Sequence, residues 1–168
     1  MASDIYLQVS GIVEESIVDG PGLRLTVFTQ GCPHHCPGCH NPQTHPFEGG
    51  KEMTVEEIFH MYCENPLLSG ITFSGGEPFC QPAPLYRLAQ MVKARGHNVM
   101  TYTGYTYEQL QAMAQTDQAI ARLLSVTDIL VDGPYIEAQR DLDLKFRGSA
   151  NQRILILNKK LDNLIDLN

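Results

Sequence analysis

Basic clusters, long apolar runs and internal repeats are all missing from this sequence. With a formal net charge of −7 and no basic run, the chain lacks the clustered Lys and Arg that a phosphate backbone requires, so no nucleic-acid partner is expected. No eighteen apolar residues stand together, and Met1 to Val13 show no basic stretch followed by a long apolar run. Neither a membrane span nor an export signal is therefore expected, and a cytoplasmic location is. There is also no low-complexity tract and no Pro/Gly/Ser linker, so residues 1–168 are expected to form one domain with a continuous core. A hydrophobic share of 43% and a charged share of 18% are those of a folded chain rather than a disordered one.

What is present reads as alternating strands and helices. Leu23 to Gln30 alternates, with Leu23, Leu25 and Val27 on one face and Thr26 and Phe28 on the other, and runs directly into a cysteine loop. Thr54 with Glu57 has the form of a helix cap, followed by Ile58, Met61 and Tyr62 at helical spacing, which predicts a helix to about Asn65. Gly70 to Ser74 reads as a second strand broken by Gly75 and Gly76. A helix from near Pro84 buries Leu85, Leu88, Ala89 and Val92 and ends before Gly96; Asn98 to Tyr102 is a third strand. Thr106 with Gln109 starts another helix and Asp117 a further one to Ser125. Asp128 to Asp132 and Arg153 to Leu157 are the fourth and fifth strands, His45 to Lys51 is a loop, and Lys159 to Asn168 is left open between a short helix and a frayed end. This order predicts an α/β fold with a mostly parallel sheet and covering helices, curled toward a partial, open TIM-like barrel, since the chain is too short for eight units.

The cysteines are five, an odd number, and three of them, Cys32, Cys36 and Cys39, fall within eight residues. That crowding suits cofactor ligation in a reducing compartment better than a disulfide framework. Pro33, Pro37 and Gly38 keep the segment from becoming a helix, so the cysteines are not there to fill an apolar stripe. Three thiolates around one small centre fit a four-iron cluster with one iron left open for an outside ligand. A structural zinc site is the competing reading, with His34, His35 or His40 as a fourth ligand.

At these residues the sequence resembles the radical S-adenosylmethionine superfamily, whose signature is this cysteine triplet on the loop after the first barrel strand. Asp19-Gly20-Pro21-Gly22 with Arg24, the run Gly31 to Asn41, Ser74 to Pro78, Thr103-Gly104-Tyr105, Asp132-Gly133-Pro134 and Arg147 to Arg153 resemble, more narrowly, the activating proteins of anaerobic ribonucleoside-triphosphate reductase. Activases of the pyruvate formate-lyase type share the opening and the glycine motif but are longer. Many superfamily members carry an aromatic residue before the third cysteine, where Gly38 stands here; His40, just after it, is the side chain available to stack on an adenine.

The resemblance implies a [4Fe-4S] cluster on Cys32, Cys36 and Cys39, S-adenosyl-L-methionine chelated to the open iron, and reductive cleavage that yields a 5′-deoxyadenosyl radical. It implies that the radical takes a hydrogen from the glycyl-radical loop of the partner reductase, with the electron drawn from a donor such as flavodoxin or ferredoxin. Cofactor contacts are expected from Gly38, Cys39, His40, Ser74, Gly75, Gly76, Glu77, Thr103 and Asp132. Within that set the bare backbone of Gly75 and Gly76 can approach the methionine ammonium, and Glu77 can supply a neutralising charge. Asp132, Thr103 and Tyr105 stand at strand ends, where such folds bind ligands. Asp19 and Arg24 are expected to pair, Arg147 to serve a substrate or docking surface, Cys63 to be a buried small hydrophobe, and Cys80 to lie near the site without being a ligand.

Overall fold

The computed structural model describes residues 4–161. Among them, seven strands join into one sheet: β1 (Tyr6–Ser16), β2 (Arg24–Thr29), β3 (Lys51–Thr54), β4 (Gly70–Gly75), β5 (Asn98–Tyr102), β6 (Ile129–Asp132) and β7 (Arg153–Ile156), in the order β3-β1-β2-β4-β5-β6-β7. The centre, β2-β4-β5-β6, is parallel. Both flanks are antiparallel: β1 against β2 and β3 on one side, β7 against β6 on the other. The result is an open α/β sheet of barrel type.

Four helices, α1 (Val55–Cys63), α2 (Pro82–Lys93), α3 (Tyr107–Ala114) and α4 (Gln118–Val126), supply the crossovers. Local chemistry sets their starts. The Thr54 hydroxyl accepts from the Glu57 amide at 3.1 Å, Thr106 and Gln109 complete a reciprocal capping box, and Asp117 accepts from the amides of Ala119 and Ile120. Gly96, at φ +81°, follows α2 in the left-handed conformation that ends a helix.

All four helices lie on one face. Leu25, Val27, Ile71, Phe73, Val99 and Leu130 present one side of the strands to Ile58, Leu88, Ala89, Val92, Leu110 and Leu123 of the helices. Each fully buried aliphatic side chain contributes about 1.5–3 kcal/mol, which fixes the sheet against its cover. The opposite, concave face carries a small cluster of Met100, Ile129 and Val131 with Tyr102, Phe146 and Ile154, and no helix residue.

Beside that cluster the concave face is polar. Arg24, fully buried, donates from Nε to Thr72 Oγ1 at 2.7 Å, and from its terminal nitrogens to Asn98 Oδ1 (2.7 Å), Ile71 O (2.8 Å) and Pro21 O (3.0 Å). Burial, the largest influence, lowers the guanidinium from its ordinary value to about 10, so it stays charged at neutral pH. The ion pair expected between Asp19 and Arg24 is not made. The Asp19 carboxylate accepts from Ser16 (2.6 Å) and Thr26 (3.2 Å), and the two residues are joined only through Thr72, whose hydroxyl donates to Asp19 O at 2.7 Å. Arg24 reaches across β4 and β5 instead, where Thr72, Ile71 O and Asn98 take its donors.

The predicted strands within 23–30, 70–74, 98–102, 128–132 and 153–157 are all present. Two more, β1 and β3, lie where no strand was expected. The register of β1 shifts between Val9 and Gly11 and again between Val13 and Ser16, which breaks its alternation, and β3 is a four-residue polar edge. The fifth predicted strand runs antiparallel, because residues 133–152 loop back at the same end of the sheet, so that Asp132 pairs with Arg153. Lys159–Leu161 form one 3-10 turn, and the rest of the stretch left open at the carboxyl end, 162–168, lies outside the described residues. No described helix is long and apolar enough to cross a membrane.

Candidate iron–sulfur site

The loop after β2 carries the three cysteines to the carboxyl ends of the parallel strands. Its path is held by backbone bonds to its own return: Gly31 N donates to Thr44 O (2.7 Å) and Cys32 N to His45 O (3.0 Å). On the other side Gly76 N donates to Thr29 O (2.8 Å) and Glu77 N to Gly31 O (2.7 Å). This second contact explains the glycine pair after β4. A Cβ on Gly76 would stand 2.3 Å from Gly31 O, and one on Gly75 (φ +96°) 2.4 Å from Thr29 N. The missing side chains first make room for the cysteine loop itself.

Glu77 is fully buried and braces that loop. Its carboxylate meets His34 Nε2 at 2.6 Å and accepts from Gly104 N (2.8 Å), Phe79 N (3.1 Å) and the Thr103 hydroxyl (2.9 and 3.0 Å). The charge expected there is thus committed first to protein donors, tying the cysteine loop to the ends of β4 and β5. Gly104 is glycine for the same reason: a Cβ would fall 2.4 Å from the His34 ring.

Cys32, Cys36 and Cys39 line one cavity of about 130 Å³, with Gly75, Gly76 and Thr103 among its other walls. Cys32 is buried, which pushes its thiol up from the usual 9.0, while Cys36 and Cys39 are half-exposed. A second cavity of about 320 Å³, at the small end of the range for ligand pockets, opens beside it over the concave face, lined by Asp19, Phe28, His40 and Arg147. The two share Cys39, Ser74, Tyr102, Tyr135 and Gln152 as a common wall. His40 meets the Tyr135 ring edge-on at 5.1 Å, and Gly38, at φ +75°, lies against the Glu137 carboxylate. A larger hollow of about 750 Å³ lies between α3, α4 and the end of β7 and holds none of the cysteines.

Asp132 sits apart from this wall. It is 1% exposed and accepts from Tyr107 N (2.7 Å) and Arg153 Nε (3.0 Å), with a further Arg153 bond to its second oxygen. Cys63 is only partly covered, at the end of α1, where its sulfur accepts from Arg95 at 3.6 Å. That corrects the expectation of a buried hydrophobe: Ile58 and Tyr62 form the buried face of α1, and Cys63 stands off it. Cys80 is exposed on the turn after Glu77.

Tyr135 carried no signal of its own in the sequence, and Gln152 entered only as part of the stretch Arg147 to Arg153. Gln152 accepts from Gly148 N (2.9 Å) and Ser149 N (3.1 Å) and donates to Gly133 O (3.1 Å); Asn151 donates to Pro134 O (2.7 Å). The segments Gly133-Pro134, Arg147-Gly148-Ser149 and Asn151-Gln152-Arg153 therefore fold into one brace that places Tyr135 and Gln152 on the shared wall. Among the described residues, His45 Nε2 and Arg147 Nε are buried nitrogens without a hydrogen-bond partner.

The donor set can be tested against a bound group. Among the described residues no three His, Cys, Asp or Glu side chains could hold a single metal ion. The three soft thiols instead line one cavity without forming a single-ion site. Those features suit a multi-iron sulfide cluster, which takes one thiolate per iron, better than a tetrahedral zinc ion.

Three thiols at the open carboxyl edge of a parallel sheet define a class, the single-cluster iron–sulfur proteins, and a family model described as a 4Fe-4S single cluster domain matches residues 18–155. A protein of Vibrio cholerae named anaerobic ribonucleoside-triphosphate reductase-activating protein is 36% identical over 147 residues, covering 82% of this chain and 90% of its own. The protein of that name from Escherichia coli K12 is 34% identical over 81% of this chain and 90% of its own. The pyruvate formate-lyase-activating enzyme of Clostridium pasteurianum is 36% identical over 72% of this chain but only 54% of its own length. The chain belongs to the family of anaerobic ribonucleoside-triphosphate reductase-activating proteins. Among solved structures, QueE from Escherichia coli superposes with a TM-score of 0.49 at 15% identity over 60% of this chain, which spans about half (54%) of the QueE chain.

Proposed function

We propose that this chain is a radical S-adenosylmethionine activase that installs the glycyl radical of an anaerobic ribonucleoside-triphosphate reductase. The observation that carries the reading is the shared wall: a cavity lined by three cysteines opens directly beside a second one large enough for part of a nucleoside and a peptide loop. With the cluster bound, the site supplies one-electron cleavage of S-adenosylmethionine to methionine and a 5′-deoxyadenosyl radical, which removes a hydrogen atom from a partner glycine and leaves it as 5′-deoxyadenosine.

The chain's own residues bind and orient. Cys32, Cys36 and Cys39 hold three irons, leaving a fourth corner to the amino acid head groups. Gly75 and Gly76 offer backbone to the ammonium, with the Glu77 charge acting from behind them and Thr103 and Ser74 beside them. Gly38 and His40 flank the nucleoside with Tyr135, while Asp132 braces the carboxyl end of β6 through Arg153. Ile17, Val18 and Leu142, exposed by 76%, 70% and 78%, stand on the same loops that supply Val18, Asp19 and Leu144 to the second cavity. They give a peptide loop an apolar rim to land on. The electron comes from a small reduced donor of the flavodoxin or ferredoxin class, in the cytoplasm.

The test is anaerobic reconstitution followed by incubation with the reductase carrying α-deuterated glycine. Deuterium in 5′-deoxyadenosine and a glycyl radical signal are expected. Cleavage of S-adenosylmethionine without either result, or transfer only to a pyruvate formate-lyase, overturns the choice of partner.

A further inference from the structure

Tyr102 ends β5 on the concave face of the sheet. Its ring packs with Met100, Ile129, Val131 and Phe146, in the cluster that contains no helix residue. Register fixes its neighbours: Thr101 lies opposite Phe73 and Tyr102 opposite Val131, so the ring stands beside Ser74 at the carboxyl ends of the parallel strands. Tyr102 is half-buried and lines both the cysteine cavity and the second cavity. The ring therefore lies where the two spaces meet.

Among the described residues the Tyr102 hydroxyl has no hydrogen-bond partner. Burial first, and then the Asp19 carboxylate, push the phenol well above its usual range, against the opposing charge of Arg24. It keeps its proton at neutral pH and is a donor. The two charges it feels also give its direction. Asp19 and Arg24 both belong to the concave side, and Asp19 lines the second cavity but not the cysteine cavity. Asp19 follows Ile17 and Val18, which are exposed, so the phenol faces the side of the junction that is open to a peptide.

We infer that the Tyr102 hydroxyl donates a hydrogen bond to the main-chain carbonyl of the glycine that loses its hydrogen; this rests on the proposed function. A glycine has no side chain by which it can be held, so only its main-chain groups can be recognised. Its α-carbon is bonded directly to a carbonyl, and bringing that carbon to the junction brings the carbonyl oxygen with it. The glycine C–H bond breaks, the hydrogen atom forms the new C–H bond of 5′-deoxyadenosine, and one electron stays on the α-carbon. That electron spreads onto the carbonyl oxygen, where a donor favours the transition state over the ground state. The phenol keeps its own proton throughout.

The experiment compares the reconstituted parent with Tyr102→Phe, which removes one oxygen, and with a variant carrying 4-aminophenylalanine in place of Tyr102, which restores a neutral donor on the same ring. Each is incubated anaerobically with the reductase, and the glycyl radical formed per S-adenosylmethionine cleaved is measured by EPR and chromatography. That ratio is expected to fall about tenfold in Tyr102→Phe, the scale of one hydrogen bond made in the transition state, and to recover most of the loss with the amine. An unchanged ratio in Tyr102→Phe overturns the inference and leaves the proposed function intact. A raised Kd for S-adenosylmethionine with an unchanged ratio assigns the hydroxyl to the ribose and overturns it too. The Tm of anaerobically purified Tyr102→Phe is expected within about 1 °C of the parent's, because the hydroxyl serves no protein group. A larger fall, or a chain that does not fold, makes the hydroxyl structural and overturns the inference. No glycyl radical with the parent overturns the proposed function, and this inference with it.

Discussion

Glu77→Gln is the sharpest probe of the site, because it changes one atom in a place where every neighbour is a donor. The carboxylate is fully buried and receives His34 Nε2, Gly104 N, Phe79 N and the Thr103 hydroxyl. A glutamine of the same shape must turn an NH2 toward one of these. Its least damaging orientation places the amide nitrogen at Oε2, where the Thr103 hydroxyl can rotate to accept but Phe79 N is left facing another donor. One unpaired buried N–H costs about 1–3 kcal/mol, and the loss of charge from the bonds to His34 and Gly104 adds about 1 kcal/mol. The sum, about 3 kcal/mol, corresponds to a fall of about 6–12 °C in Tm for a domain of this size. Thermal melts and urea titrations of the anaerobically purified chain would show it, with a coupling to Thr103→Val in a double-mutant cycle. The competing role, direct contact with a ligand's ammonium, makes the opposite forecast. An unliganded Tm unchanged within about 1 °C, together with a raised KM for S-adenosylmethionine, would refute the brace.

Further outcomes follow from other parts of the molecule. Cys36→Ala is expected to leave a folded chain, seen by circular dichroism, that takes up no functional cluster; S-adenosylmethionine cleavage by that variant would contradict the ligand assignment. Gly76→Ala forces a Cβ to 2.3 Å from Gly31 O, so iron uptake on reconstitution should drop sharply while the helices, which lie on the other face, keep their far-ultraviolet signal. Arg24→Lys loses the forked donors that reach Thr72, Asn98 and Ile71, and should cost about 2–4 kcal/mol in urea unfolding despite the retained charge. His97, whose Nδ1 lies 2.5 Å from the Tyr62 hydroxyl, is held below its ordinary 6.5 by burial first and then by the charge of Arg95. The unfolded chain therefore binds the extra proton more readily, so this stabilisation is full above pH 6.5 and is lost as pH falls through the folded value. Melts at acid and neutral pH should show the loss, and His97→Gln should flatten it.

The parts of this protein legible from sequence are those governed by neighbours a few residues away. Helix caps are such a case: Thr54, Thr106 and Asp117 each accept from an amide two or three positions on, and each helix begins where that chemistry places it. The central strands are another: Leu23 to Val27 alternates, Ile71 and Phe73 flank a β-branched Thr72, and 129–131 is an unbroken apolar run. β1 escaped because its two register shifts scramble a period of two, and β3 because an edge strand of Lys, Glu, Met and Thr has no reason to look apolar.

By itself, then, the sequence determined the alternating α/β order, the cysteine triplet and the glycines where the chain must turn, because spacing, capping and backbone permissiveness act locally. The tertiary structure decided which charges meet. Glu77 found His34 across 43 positions, Arg24 found Asn98 across 74 while Asp19 lay five residues away, and β7 turned antiparallel because residues 133–152 loop back at one end of the sheet. Partners of that kind exist only once the sheet has assembled, when buried donors and acceptors must be answered by whatever the fold has brought within reach.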